Sequence, residues 1–141
     1  MASILDIAGS AMNAQMLRLN TTASNLANAN TVSSTEQGAY RAKQTVFATV
    51  METSNALSAS PAGNPVGGVN VPEIVESQAP VPKRYEPGNP MADADGYVYA
   101  SNVNEVEEMA NMISASRSYQ SNAEIFNTTK TLMLRTLQLG Q

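Results

Sequence analysis

The side chains in this sequence that could perform chemistry are few, and five of the twelve acidic residues fall in two groups. Glu105, Glu107 and Glu108 form one group, and Asp93 and Asp95 form the other, within the stretch Asp-Ala-Asp-Gly. Carboxylates at such spacings can bind a metal ion or act as general acid and base. The sequence contains no cysteine and no histidine, which removes thiol nucleophiles, disulfides, imidazole bases and nearly every zinc site.

The glutamates have a structural explanation as the start of a helix. Asn102 or Asn104 can cap that helix, with Glu105 or Glu107 three residues later in a capping-box arrangement. Glu108 adds negative charge near the positive end of the helix dipole. We therefore interpret this group as a helix start rather than as a catalytic or metal site.

The aspartates have a structural explanation as a turn. When Asp93, Asp95 and Gly96 are aligned with a calcium-binding loop, Met91 falls at the first ligand position and Asn102 falls where a bidentate glutamate belongs. The calcium pattern fails at both ends, whereas Asp followed by Gly is typical of a turn. We expect no catalytic residue, no cofactor and no metal ion, and we predict that the protein is not an enzyme.

Two stripes of apolar residues at alternating steps of three and four predict the elements that carry these groups. The spacing is that of a coiled-coil seam. The first stripe runs from Ser3 to about Asn30, and its large members are Leu5, Met12, Leu19 and Leu26. The second runs from Asn102 to Leu139 and contains Met109, Met112, Tyr119, Phe126, Met133 and Leu137, with Val106, Ile113 and Leu134 expected to widen the face.

The middle of the chain has a different composition. All seven prolines lie between Pro61 and Pro90, and six of the eight glycines lie between Gly38 and Gly96, which excludes a long helix there. Alternating residues predict a strand over Tyr40–Val50, and further short strands within residues 69–77 and 96–101. Asp95-Gly96 is predicted to be a turn, and Thr53–Gly68 a mobile loop.

The sequence thus predicts a mainly α fold. Its N- and C-terminal helices pack as a coiled-coil-like pair, and an extended Pro/Gly-rich middle segment carries short β-strands. The expected divisions are residues 1–31, 32–101 and 102–141. Because the first stripe is weak and the remaining helix faces carry many small residues, we expect other chains to supply part of the packing.

Charge and hydropathy exclude several other classes of function. A net charge of −4 with 14% charged residues gives no basic surface for nucleic acid or anionic lipid. The N-terminus lacks the basic and apolar regions of a cleaved signal peptide, and no apolar run approaches 18 residues. We expect neither nucleic-acid binding nor direct membrane insertion.

Three segments of the sequence resemble bacterial flagellar axial proteins, the rod and hook subunits. SNLANANT at residues 24–31, followed by Tyr40-Arg41, is similar to the N-terminal signature of that family. YEPGNPMADADGYV at residues 85–98 and the stretch from Asn102 to Gly140 resemble the proximal-rod subunits of the basal body in particular. The resemblance covers both termini and the distal half of the middle segment.

The resemblance implies a structural subunit of the rod, the drive shaft that transmits torque from the motor to the hook. Such subunits leave the cytoplasm through the flagellar type III export apparatus without cleavage and polymerise around a central channel in the periplasm. It implies as partners other copies, the proximal and distal rod proteins and the protein that joins the rod to the MS ring. The terminal helices would form an inner α-helical layer, with the middle segment outside it.

The resemblance also suggests a role for the asparagines and the stripes. Asn25, Asn28 and Asn30 are expected to end the first helix and hold the turn into the middle segment, their amides bonding backbone groups of the same or adjacent subunits. An ordinary helix end is the alternative. The predicted assembly interface comprises Asn25 and Asn28 together with the large stripe residues Leu5, Met12, Leu19, Leu26, Met109, Met112, Tyr119, Phe126, Met133 and Leu137.

Two other classes of protein remain as alternatives. A secreted cell-wall hydrolase would need a nucleophile or a metal site, and the carboxylates already have explanations as caps and turns. A cytosolic flagellar export chaperone or adaptor could be a small helical protein, but it would not need a Pro/Gly-rich segment with strands. Fractionation distinguishes a rod subunit from an export chaperone, because a rod subunit is found in purified basal bodies and a chaperone in the cytosol.

Overall fold

The computed structural model describes residues 2–52 and 66–139, which form two long helices and two small antiparallel sheets. In chain order the elements are α1 (Ala2–Asn28), β1 (Val32–Ser33), β2 (Lys43–Glu52), β3 (Val66–Glu76), β4 (Lys83–Tyr85), β5 (Tyr97–Ala100) and α2 (Glu105–Leu139). The prediction of two long terminal helices that pack together, with short strands in the middle segment, is confirmed, and the strands pair in antiparallel fashion. Neither helix is long and apolar enough over its described residues to cross a membrane.

The two helices run antiparallel. Asn30, just after α1, donates to Glu105 at the start of α2 (2.6 Å), and Arg18 on α1 donates to Asn111 on α2 (2.9 Å). The end of α1 thus lies beside the start of α2, and earlier residues of α1 lie beside later residues of α2. Because α2 has 35 residues and α1 has 27, about 12 Å of α2 at its C-terminal end has no matching turn on α1.

Strands β2 and β3 form a hairpin that lies against α1. Their pairing runs from Lys43 opposite Glu76 to Glu52 opposite Val66, and it is interrupted by a bulge after Val46. At the bulge the register passes from Val46 opposite Glu73 to Ala48 opposite Asn70, so that one residue of β2 faces Val71 and Pro72 of β3. A bulge is one of the few places where a strand tolerates proline, which has no N–H to donate to the ladder.

The second sheet has the strand order β1-β5-β4. Val98, in the central strand β5, is fully buried. The turn before β5 is held by Asp93, whose Oδ1 accepts from the backbone N–H groups of Asp95 (3.0 Å) and Tyr97 (2.8 Å). Gly96 has a φ of +80°, which favours glycine at this position. The predicted turn at Asp95-Gly96 is therefore confirmed.

Some predicted boundaries in the middle segment were wrong. The strand predicted over Tyr40–Val50 is β2, which begins at Lys43 rather than at Tyr40. The loop predicted over Thr53–Gly68 ends too late, because β3 already begins at Val66. Residues 66–68 pair with β2 through their backbones, and two of them are glycines, which lack the side chains that indicate a strand. The rest of the predicted loop, residues 53–65, lies outside the described residues.

The buried apolar side chains of the described residues are small. They are Ala8, Ala14, Ala39, Ala42, Val98 and Ala115. Alanine at these positions lets a helix approach its neighbours closely, but it contributes little apolar area to a core. The large apolar side chains are therefore mostly half-buried or exposed in the single chain.

Candidate assembly interface

Most of the predicted stripe residues are half-buried in the single chain. Leu5, Met12, Leu19 and Leu26 on α1 are all half-buried, and so are Met112, Tyr119, Phe126 and Met133 on α2. The two ends of the second stripe differ from this pattern, because Met109 and Leu137 are exposed in the single chain. Leu137 is 70% exposed and lies in the part of α2 that extends beyond α1.

The three residues expected to widen the stripe of α2 do not do so within the chain. Val106 is 76% exposed and Ile113 is 57% exposed, and Leu134 is also exposed. At about 100° per residue, Val106 lies roughly 180° around the helix from the fully buried Ala115, and Ile113 lies almost as far. The sequence spacing did not reveal that Val106 and Ile113 form a separate outer face.

Large apolar side chains remain exposed on every layer of the molecule. Sixteen of them among the described residues are at least 40% exposed. They include Ile4, Ile7 and Met16 on α1, Val46 and Phe47 on β2, Ile74 and Val75 on β3, and Val106, Ile113, Ile125, Leu132 and Leu134 on α2.

Asn25 joins the end of α1 to the start of the hairpin. Its side chain is only 1% exposed, and it bonds both backbone groups of Lys43: Oδ1 accepts from the N–H (2.8 Å) and Nδ2 donates to the carbonyl (2.8 Å). The Tyr40 hydroxyl donates to the same Oδ1 (3.1 Å) and lies 3.3 Å from the Ser24 hydroxyl. The amide thus occupies the place that a neighbouring strand would take beside Lys43.

The other two asparagines of the cluster act more locally. Asn28 donates to the Ser24 carbonyl one turn earlier (2.8 Å), and Thr31 closes the turn with a bond from its hydroxyl to the Asn28 carbonyl (2.7 Å). Asn30 bonds the carboxylate of Glu105 rather than a backbone group. The expectation of backbone bonding therefore holds within the chain for Asn25 and Asn28 but not for Asn30.

The glutamate group lies at the start of α2. Asn104, rather than Asn102, caps this helix, because its Oδ1 accepts from the N–H groups of Val106 (3.1 Å) and Glu107 (3.4 Å). Glu108 is only 8% exposed, and burial raises the pKa of its carboxyl above the ordinary value. The adjacent Asn25 amide lowers that pKa, Glu107 raises it, and Arg18 lowers it. No three acidic residues of the described ranges are grouped so that they could hold a metal ion.

A polar cleft of about 430 Å³ opens beside this junction. Its lining comes from α1, the first half of β2 and the first turns of α2. The lining residues are Arg18, Thr21, Thr22, Lys43, Gln44, Thr45, Phe47, Glu107, Glu108 and Asn111. Sequence analysis did not predict this cleft, because residues 18, 43 and 108 are brought together only by the packing of three elements.

Both terminal segments match models of flagellar rod domains. Residues 5–32 match the flagella basal body rod protein family, and residues 94–139 match the C-terminal family described as flagellar basal body rod FlgEFG protein C-terminal. Together these segments carry most of α1, the asparagine cluster, β5 and all of α2. They define the class of the chain as a flagellar basal-body rod protein.

Curated relatives match this chain over nearly its whole length. It is 55% identical to the flagellar basal-body rod protein FlgC of Escherichia coli O6:H1 and to that of Salmonella typhimurium strain LT2, in each case over 99% of this chain and 97% of the relative. The protein of the same name from Bacillus subtilis strain 168 is 32% identical over 97% of this chain and 96% of its own length. The chain belongs to the FlgC family of flagellar basal-body rod proteins.

Proposed function

We propose that this chain is a structural subunit of the proximal rod, which polymerises around the export channel and transmits motor torque to the hook. The relatives are named as flagellar basal-body rod proteins, which favours a rod subunit over an export chaperone. The observation that carries the proposal is the distribution of apolar side chains over residues 2–52 and 66–139, where the buried ones are small and sixteen large ones are at least 40% exposed. A chain of this kind completes its packing by association.

The two helices supply the inner layer of the proposed rod. Met12 on α1 and Phe126 on α2 are half-buried, which supports a place for them in the contact between the two helices. Exposed residues of α2 such as Ile113 are available to other chains. Packing of such faces between neighbouring subunits would give a coiled-coil-like inner layer around the channel. The hairpin and the three-stranded sheet would lie outside it.

The proposed partners and location follow from this role. The partners are other copies, the other proximal and distal rod proteins, the protein that joins the rod to the MS ring, and the type III export apparatus. The protein would be exported without cleavage of a signal peptide and would assemble in the periplasm. It acts through mechanical contacts rather than through catalysis, a cofactor or nucleic acid.

Fractionation of flagellated cells tests the proposal. An antibody against the chain should detect it in purified basal bodies, and cells that lack the chain should be non-motile and should stop rod assembly before the hook forms. A chain recovered only from the cytosol would contradict the rod function and would support an export chaperone. A cryo-EM map of the basal body would then show whether α1 and α2 line the channel.

A further inference from the structure

Asn102 was expected to be a possible helix cap, but its side chain bonds the base of the hairpin instead. It lies in the segment between β5 and α2, and its side chain reaches back to the base of the hairpin. Its Oδ1 accepts from the N–H of Ala42 (2.7 Å), and its Nδ2 donates to the carbonyl of Ala79 (3.0 Å). It thus links the residue just before β2 to the segment that follows β3.

The neighbouring residue of the hairpin base is bonded from the opposite terminus of the chain. Lys43 is bonded on both backbone groups by Asn25 of α1. Two consecutive residues, Ala42 and Lys43, are therefore bonded by one amide from the N-terminal helix and one from the segment that leads into the C-terminal helix. Ala42 also accepts a backbone bond from Ser77 (2.8 Å), so both strands of the hairpin are tied at this point.

Both amides are themselves fixed in place. Asn25 is almost fully buried in the last two turns of α1. Asn102 follows Ser101, which is 5% exposed, donates its N–H to the Thr31 carbonyl (3.2 Å) and accepts at Oγ from the N–H of Val103 (3.2 Å). A short side chain on a fixed backbone restricts its partner more than a long flexible side chain would.

We infer that Asn102 is a positioning residue, and that with Asn25 it forms a two-sided amide clamp that couples the direction of the hairpin to both terminal helices. The clamp consists of Asn25, Asn102, Ala42 and Lys43. Because one amide belongs to each terminal segment, the hairpin keeps a single direction only when both segments are in place. The mechanical consequence, that the hairpin turns with the helices as one body, rests on the proposed rod function.

Hydrogen exchange in purified basal bodies, measured by mass spectrometry on peptides that cover residues 40–45, tests the clamp. Asn102→Ala should speed exchange at Ala42 by about fivefold to a hundredfold, since a buried N–H loses its partner, and it should also speed exchange at Lys43. Asn25→Ala should have the reciprocal effect. Asn127→Ala, which changes an exposed asparagine of α2, is the matched control and should leave this peptide unchanged.

The double substitution separates a clamp from two independent bonds. In a clamp, the first substitution already frees the base, so the combined effect of Asn25→Ala and Asn102→Ala on exchange should be smaller than the product of the single effects. An effect equal to that product, or exchange at Lys43 that does not respond to Asn102→Ala, would overturn the inference. Asn102→Asp retains the acceptor for Ala42 but loses the donor to Ala79, so it should loosen residues 77–80 and leave Ala42 protected.

The amount of each variant in basal bodies separates this inference from the proposed function. If the wild-type chain itself is missing from basal bodies, the rod function fails. If the variants are incorporated at wild-type levels and exchange at residues 42 and 43 is unchanged, the rod function stands and the clamp is wrong.

Discussion

At the scale of single residues, Asn25 shows why an amide is used at the junction. The backbone of Lys43 presents a donor and an acceptor to α1, and only an amide side chain of this length offers both complementary groups at once. A carboxylate would repel the carbonyl, and an apolar side chain would leave both groups unpaired. Asparagine is unfavourable in a helix interior. At Asn25 this is explained by the bonds of its side chain to Lys43, which lies after the helix.

Replacement of Asn25 by leucine tests this explanation. Asn25→Leu keeps a similar size but leaves buried backbone groups unpaired, so the free energy of unfolding should fall by about 1–3 kcal/mol for each group. Swimming should be impaired in Asn25→Leu combined with Asn28→Leu, while export of the chain persists. Asn20→Leu, at an exposed position of the same helix, is the control. Wild-type swimming by the double variant would show that the cluster is only a permissive turn.

Glu108 gives a prediction about pH. Burial raises the pKa of this carboxyl in the folded chain, so its protonated form is favoured by folding. Its contribution to stability is complete below the ordinary pKa of 4.5 and is lost as the pH rises through the folded-state value. Glu108→Gln should therefore be more stable than the wild type at pH 7, and this gain should shrink below pH 4.5.

Chemical denaturation of both proteins across this pH range measures the difference. Glu107→Gln removes the same formal charge from the exposed neighbouring residue, and it controls for the change in net charge. A Glu108→Gln variant that is less stable than the wild type at pH 7 would mean that the ionised carboxylate makes a favourable contact at this site.

Residue types predicted that the asparagines matter, but not which groups they bond. Asn25 and Lys43 are 18 positions apart, and Asn102 and Ala42 are 60 positions apart, so no local pattern connects them. Asn102 and Asn104 were equally good caps on sequence grounds. In the folded chain the hairpin base lies beside Asn102, which bonds it, and Asn104 caps the helix.

At the scale of elements, the stripe of α2 predicts a specific response at Met133. This residue is half-buried and lies where α2 begins to extend beyond α1. Met133→Asp places a carboxylate in an apolar seam, which costs several kcal/mol unless the charge is neutralised or reaches water. The variant should be expressed and soluble but absent from basal bodies, and the cells should not swim.

Met133→Leu is the matched control, because it nearly conserves the side-chain volume and should be tolerated. Immunoblots of purified basal bodies and swimming assays on soft agar measure both variants. Normal incorporation of the Asp variant would show that this face of α2 is exposed in the rod.

The long helices were predictable from sequence, whereas the shortest strands were not. The helices have 27 and 35 residues, and so their spacing repeats many times along the sequence. Strands β1 and β4 have two and three residues, too few to show an alternation, and they were not predicted. The bulge opposite Pro72 breaks the alternation of the hairpin, which made its register unpredictable.

At the scale of the whole molecule, the outer face of α2 tests whether association completes the packing. Ile113 is more than half exposed in the single chain, so Ile113→Glu should change the free energy of unfolding by no more than about 0.5 kcal/mol. Incorporation into basal bodies should nevertheless fall sharply, because the charge would enter an apolar contact between subunits.

Gln120→Glu is the matched control for this face. Gln120 is exposed and lies two turns after Ile113 on the same side of α2, and its substitution introduces the same charge at a position that is already polar. It should have the smaller effect on incorporation. Equal incorporation of Ile113→Glu and the wild type would mean that this face meets water in the assembled rod.

The unequal lengths of the two helices have a consequence for a column of such chains stacked along the helix axis. With about 12 Å of α2 extending past α1, a flat plane at the end of α1 cuts through α2 of the same copy. A twisting or shearing force that crosses such a plane is therefore borne partly by covalent backbone. Copies with staggered ends resist sliding past one another, because no flat plane at the end of α1 passes through non-covalent contacts alone.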